Sequence, residues 1–274
     1  MQTTLNMAAL QMVSTPDVQE NLAMAGELMQ QAAKQGAKLV LLPEYFCLMG
    51  QRDTDKLAIA EAHGDGPIQR FLGEQAKLLG LHIVAGTIPI QSPSADRVYN
   101  TSLVFHPNGS GSARYDKIHL FCFKRGEESY DEGKVLLPGS TPVVADCDGF
   151  KVGLSVCYDL RFPELYRAMG PVDLIVMPAA FTYTTGKAHW EVLMRARAIE
   201  NQCYVLACGQ GGVHPSGRRT WGHSMVVNPW GEVEQVLEEG PGVVMGTLDP
   251  AKILDVRNSL PALRHRVLQN PPRG

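Results

Sequence analysis

The chain has 274 residues, 45% of them apolar and 19% charged, and a formal net charge of −3. This is ordinary for a globular protein and long enough for one large domain or two small ones. The charge gives no electrostatic footprint for nucleic acid or an anionic membrane, and the basic clusters Arg218-Arg219 and Arg264-His265-Arg266 are too short for a polyanion track. No apolar run reaches the roughly 18 residues of a membrane span. Met1–Leu10 lacks the basic and apolar regions of a signal peptide. The six cysteines are scattered without C-x-x-C spacing, which argues against a metal site or a disulfide scaffold. Most read as reduced core thiols of a cytoplasmic protein.

Strand and helix patterns alternate along the chain. Leu5–Val13 reads as a strand. Asp17–Lys34 reads as a helix, with Val18, Leu22, Ala25, Met29 and Ala32 at helical spacing and Asp17 and Glu20 as a capping box. Lys38–Pro43 is a buried strand. Pro67–Leu79 is a helix closed by Gly80. His82–Pro89, Tyr99–Phe105 and Gly111–Lys117 read as strands, as do Phe150–Val156, Asp173–Pro178 and Cys203–Gly209. Helices are expected at Pro163–Met169 and Ala188–Gln202. The last quarter, from His223–Asn228 through Glu232–Glu238 and Gly242–Leu248, looks rich in hairpins. A helix, Pro250–Ser259, and a Pro- and Arg-containing tail follow. Continuous apolar strands imply burial on both faces, so the pattern predicts one α/β domain over 1–274, with two sheets or one very large one covered by helices.

Three residues stand at strand ends with chemistry to offer. Cys157 stops the apolar run Val152–Val156 and precedes Tyr158-Asp-Leu-Arg-Phe-Pro163, a turn entering a helix. Such a setting is expected to lower a thiol's pKa and to present backbone N–H groups to an oxyanion. Glu44 ends Lys38–Pro43, where a carboxylate is costly unless it faces a polar site. Lys117 is flanked by apolar residues, and if buried it needs Glu44 or Glu132 as partner. Asp159 and Arg161 are placed to pair and brace the turn. Alternatively, Arg161 binds a substrate carboxylate. His119, His189 and His223 are weaker candidates as bases, since no spacing links them to a metal site or triad partner. Gly209-Gln-Gly-Gly212 lacks the lysine of a phosphate loop and reads as a strand-end loop near the pocket.

Three segments, Leu42-Pro-Glu-Tyr-Phe46, Tyr115-Asp-Lys-Ile-His119 and Gly153-Leu-Ser-Val-Cys-Tyr-Asp-Leu-Arg-Phe-Pro-Glu-Leu165, resemble the signature segments of the nitrilase superfamily of carbon–nitrogen hydrolases, in order and separation. The resemblance implies a four-layer αββα sandwich, assembled as a homodimer or larger even oligomer. It implies a triad of Glu44, Lys117 and Cys157, with the family's additional glutamate at Glu132, near which Glu127 and Glu128 also lie. Tyr158, Arg161, Phe181 and Thr182 are the expected substrate contacts.

The segments Ala188–Gln202 and Gly222–Gly231 resemble the Nit branch. This implies an amidase needing no metal or organic cofactor, acting on a small carboxylated amide through a thioester. Deaminated glutathione is the first expectation, and α-ketoglutaramate or a similar dicarboxylate monoamide is the alternative. The stretch Gly211–His223 and the ending Arg257–Arg266 favour the first. Trp221, where the family more often has tyrosine, and Phe121-Cys-Phe-Lys124 depart from the pattern in segments that bear on substrate choice. A catalytically silent binding scaffold is the reading from a different class.

Overall fold

The computed structural model describes residues 3–126 and 128–268. Glu127, the first two residues and the end of the Pro- and Arg-containing tail lie outside the described residues.

Two sheets stack face to face. The first has eight strands, running Gly242–Leu248, Leu5–Gln11, Leu39–Leu41, His82–Val84, Val98–Phe105 and Ile88–Gln91, with Gly111–Asp116 and Leu136–Leu137 also paired to Val98–Phe105. The second has six, in the order Val143–Cys147, Phe150–Leu154, Leu174–Ala179, Tyr204–Gly209, Ser224–Val227 and Val233–Leu237. Each sheet holds a parallel trio: the strands at 5–11, 39–41 and 82–84, and those at 150–154, 174–179 and 204–209.

The continuous apolar runs have a physical explanation in these layers. Met7, Ala9, Leu39 and Leu41 point between the sheets, against Val152, Leu154, Val176 and Leu206. Their neighbours Ala8, Leu10, Val40 and Leu42 point the other way, under helices Val18–Lys34 and Pro67–Leu79. Side chains alternate across a strand, so both faces must be apolar when both are covered. Helix Tyr183–Asn201 covers the second sheet with Trp190, Met194 and Ala198. The result is the expected four-layer α/β sandwich with two sheets.

Local signals fixed some boundaries well. Pro67 starts its helix in the first turn, and Gly80 closes it in the left-handed region at φ +64. Asp17 caps its helix by accepting from the N–H groups of Gln19 and Glu20, but Glu20 turns away to Thr15 Oγ1, so the box is half made. The expected strand His82–Pro89 is two strands, because the chain kinks at Gly86, φ +53. The last quarter is less hairpin-like than expected. Ser224–Val227 and Val233–Leu237 pair, but Gly242–Leu248 crosses to the first sheet and joins Leu5–Gln11.

Candidate active site

The parallel strands 39–41, 150–154 and 174–179 end on one side of the sandwich, where open α/β sheets place their sites. After Leu39–Leu41 the backbone passes over Gly86. A Cβ there would lie 2.0 Å from the Pro43 carbonyl oxygen, so glycine serves both the close approach and the positive φ. The chain then turns at Tyr45, φ +57, whose N–H donates to Thr87 Oγ1 at 2.9 Å.

Glu44 is thereby aimed inward and is 1% exposed. Its Oε1 accepts from Lys117 Nζ and from Asn100 Nδ2, both at 2.9 Å. Its Oε2 accepts the Ala180 N–H at 2.9 Å. Lys117 is 0% exposed and also donates to both oxygens of Glu132, at 2.9 and 2.7 Å. Burial alone would lower the lysine's pKa. Glu132 and Glu44 outweigh that and raise it, so the ammonium stays charged. Burial likewise works against ionised Glu132, and Lys117 overrides it and holds the carboxyl below its ordinary range. Glu132 accepts two more bonds, from the Tyr45 hydroxyl at 2.9 Å and the Phe121 N–H at 2.7 Å.

Cys157 ends the apolar run of its strand with φ +49, an uncommon value for a residue with a Cβ. It opens a short 3₁₀ turn, Cys157–Arg161, which feeds helix Pro163–Met169. Fully buried Asp159 locks this elbow. It accepts from the Val156 N–H at 2.9 Å, the Tyr115 hydroxyl at 2.6 Å and the His119 N–H at 3.0 Å, and it faces His119 Nδ1 at 2.7 Å.

Two expectations are corrected here. Asp159 does not pair with Arg161: its short side chain turns inward, while Arg161 reaches His189 Nδ1 at 3.2 Å and lies over the rings of Tyr158 and Phe181. Nor is the thiol pKa lowered. Burial first, then the negative charge of Glu44, push Cys157 well above the ordinary thiol value, and Lys117 does not compensate. Two carboxylates around one ammonium leave the cluster net negative, and a 3₁₀ turn offers less dipole than an α-helix. The surroundings of Cys157 therefore favour the protonated thiol, with Glu44 beside it.

A narrow pocket of about 10 Å³ opens onto the thiol. Tyr158, Arg161, Phe181 and Thr182 all border it, together with Glu44, Glu132, Cys157 and Arg218. Lys117 sits behind this lining. Thr182 also caps helix Tyr183–Asn201, accepting from the Thr185 N–H. Of the three histidines considered from sequence, none borders the pocket: His119 serves Asp159, His189 faces Arg161, and His223 stacks on Trp221. Glu128 is bound by Thr184 Oγ1 at 3.0 Å and does not join the cluster. A larger open cleft of about 630 Å³, rimmed by Arg70, Lys77 and Arg114, lies elsewhere and is lined by no cysteine. Among the described residues no cluster of His, Cys, Asp or Glu is arranged to hold a metal ion, and no helix is long and apolar enough to cross a membrane.

Sequence reasoning missed Asn100, Tyr45 and Ala180 as partners of the two carboxylates. Asn100 had a readable signal, a polar residue within the apolar run Val98–Phe105. Ala180 had none, because its contribution is a backbone N–H.

The profile of the carbon–nitrogen hydrolase family matches residues 6–258. The chain belongs to that family. Deaminated glutathione amidase of Synechocystis is 43% identical to it over 266 residues, covering 95% of this chain and 97% of that one. The chloroplastic omega-amidase of Arabidopsis thaliana is 38% identical, covering 96% of this chain and 73% of that one. Among solved structures, the NitFhit protein of C. elegans superposes with a TM-score of 0.89 at 35% identity. It covers 97% of this chain, which spans 66% of that longer protein. This carbon–nitrogen hydrolase is thus an amidase that works through a catalytic cysteine on a small-molecule amide.

Proposed function

We propose that Cys157 Sγ attacks the amide carbonyl while Glu44 takes the thiol proton and passes it to the leaving nitrogen. Lys117 and the Tyr158 N–H stabilise the oxyanion, and Glu132 orients Lys117. The amine departs, a thioester remains on Cys157, and water activated by Glu44 hydrolyses it, returning the thiol. No step calls on a cofactor. The observation that carries this assignment is the buried chain of contacts from Glu132 through Lys117 to Glu44 beside the thiol.

For the substrate we infer a small carboxylated amide, with deaminated glutathione first. Support comes from two arginines at the pocket, Arg161 and Arg218, and from the likeness to deaminated glutathione amidase. The test is product-resolved turnover of deaminated glutathione, α-ketoglutaramate, glutamine, an aliphatic amide and a nitrile, by wild type and Cys157→Ala. Cys157-dependent preference for deaminated glutathione is the expected result. Preference for α-ketoglutaramate moves the reading to the omega-amidase type, and faster turnover of the neutral nitrile overturns it.

We further infer a cytoplasmic homodimer or larger even oligomer of a one-domain chain. Val192 and Ile199 lie on one face of helix Tyr183–Asn201, 69% and 48% exposed, beside Trp230 at 56%. Arg195 Nε ties the Trp230–Gly231 turn to that helix through the Gly231 carbonyl at 2.8 Å. Such an apolar patch suits a second copy of the chain.

A further inference from the structure

Arg218 and Glu44 hold the same residue, Ala180, by its two backbone polar groups. Ala180 donates its N–H to Glu44 Oε2 at 2.9 Å and accepts from Arg218 Nη2 at 3.1 Å through its carbonyl. Arg218 therefore stands on the Glu44 side of the pocket. Arg161 stands apart from it, against Tyr158, Phe181 and His189.

The loop carrying Arg218 is built firmly. Val213 and Arg219 form a β-bridge, and the His214 N–H donates to the Arg218 carbonyl at 2.9 Å. The buried His214 ring spans Ser14 O and Thr220 Oγ1, each at 2.9 Å. Neighbours on such an extended segment face opposite ways. Arg219 accordingly turns to Glu239 at 3.0 Å and to the Tyr183 ring, leaving Arg218 alone to enter the pocket.

The guanidinium of Arg218 is under-used. Its Nε is shut from solvent and has no hydrogen-bond partner, and Nη1 reaches only Met49 Sδ at 3.9 Å. Among the described residues it has no ion pair, whereas Arg197, Arg219 and Arg257 each have one. The ring of Tyr130 lies 5.3 Å from its centre. A part-buried guanidinium whose Nε and Nη1 hold no oxygen partner has donors to offer an incoming anion.

We propose that Arg218 binds a carboxylate carried by the leaving amine of the substrate. This rests on the amidase assignment above, in which Glu44 protonates the leaving nitrogen, so the leaving group lies on the Glu44 side. Arg161 then serves an acyl-side carboxylate, and the two arginines read the two ends of the amide. An amide releasing only ammonia has nothing to offer Arg218. The loop 211–223 thereby selects substituted amides over primary ones.

The test compares deaminated glutathione with its terminal carboxamide, which keeps the length and acyl group but loses the leaving-group charge. Wild type is expected to prefer the carboxylate in kcat/KM. Arg218→Gln is expected to cut that preference about 30-fold, the size of a lost charge-assisted contact. Arg218→Lys, which keeps the charge without the fork, retains part of it and serves if the glutamine variant fails to fold. Calorimetric binding of both compounds to Cys157→Ala protein reads the same contrast without turnover. A preference that survives both Arg218 substitutions, or an equal loss on both compounds, overturns the role of Arg218 alone. A wild type with no preference in either assay overturns the underlying substrate reading, and this proposal with it.

Discussion

The Tyr45 hydroxyl donates to Glu132 Oε1 at 2.9 Å, tying the residue next to Glu44 to the second carboxylate of Lys117. The positive φ at Tyr45 makes this possible, since it sends adjacent side chains into one cluster along different paths. Tyr45 is thus a positioning residue: it shares Glu132 Oε1 with Lys117 Nζ and holds the carboxylate toward the ammonium. Tyr45→Phe keeps the ring and removes the bond. It should lower kcat about 3- to 10-fold with little change in KM, for a lost bond of about 1 kcal/mol. An unchanged kcat in steady-state assays would mean that Phe121 N–H and Lys117 hold Glu132 unaided.

Removing one member of the buried ionic trio should cost more than removing a contact to it. Glu132→Ala leaves Lys117, itself buried, with one carboxylate. Breaking a buried pair this way costs about 3–5 kcal/mol. The expected outcome is a lower urea midpoint and kcat reduced by at least about 100-fold, as for loss of an electrostatic group from an active site. Glu132→Gln keeps the shape and one acceptor oxygen but sets an NH2 among the donors that face Glu132, so its stability loss should be smaller than that of alanine while kcat still falls. Paired denaturation and turnover measurements separate the two effects.

The fold was legible where local rules and burial agree. Pro67 and Gly80 bound their helix because one lacks an N–H to lose and the other accepts a left-handed backbone. The parallel strands were legible because both faces are covered. Hairpin Cys122–Arg125 with Glu128–Asp131 was not, since it is mostly exposed and its polar residues carry no burial pattern. At the site, Glu44, Lys117 and Cys157 stood out at the ends of strand-like runs, and Glu132 through the family resemblance. Asn100 and Tyr45 act through contacts 56 and 87 residues away in sequence, a distance no local pattern encodes. The thiol pKa was misjudged for a related reason. The turn after Cys157 was visible, but the burial of the thiol, and then the net charge of a cluster assembled from three distant segments, were not.

The proposed assembly through the face of helix Tyr183–Asn201 gives a third prediction. Val192 and Ile199 are exposed and contribute nothing to the core, so a charge there should not unfold the subunit. Val192→Glu with Ile199→Glu should halve the particle mass or more in sedimentation, with a melting temperature measured at low concentration close to that of a wild type diluted below its assembly constant. An unchanged mass would place the interface elsewhere.

The buried thiols set a pH limit on stability. Burial pushes Cys47, Cys147 and Cys203 up to about 12, from an ordinary value near 9. A raised pKa means that the folded state keeps a proton which the unfolded chain gives up. Stability is therefore unaffected below about pH 9 and falls between there and about pH 12, by about 1.4 kcal/mol per pH unit for each such thiol. Urea midpoints should be level from pH 7 to 8.5 and decline steeply from pH 9 to 10.5. Replacing Cys203 with alanine removes one titrating group, so the decline should become shallower even though the variant starts from a lower midpoint for its lost packing. A slope identical to wild type would show that tyrosines such as Tyr166, also raised by burial, govern the alkaline limit instead.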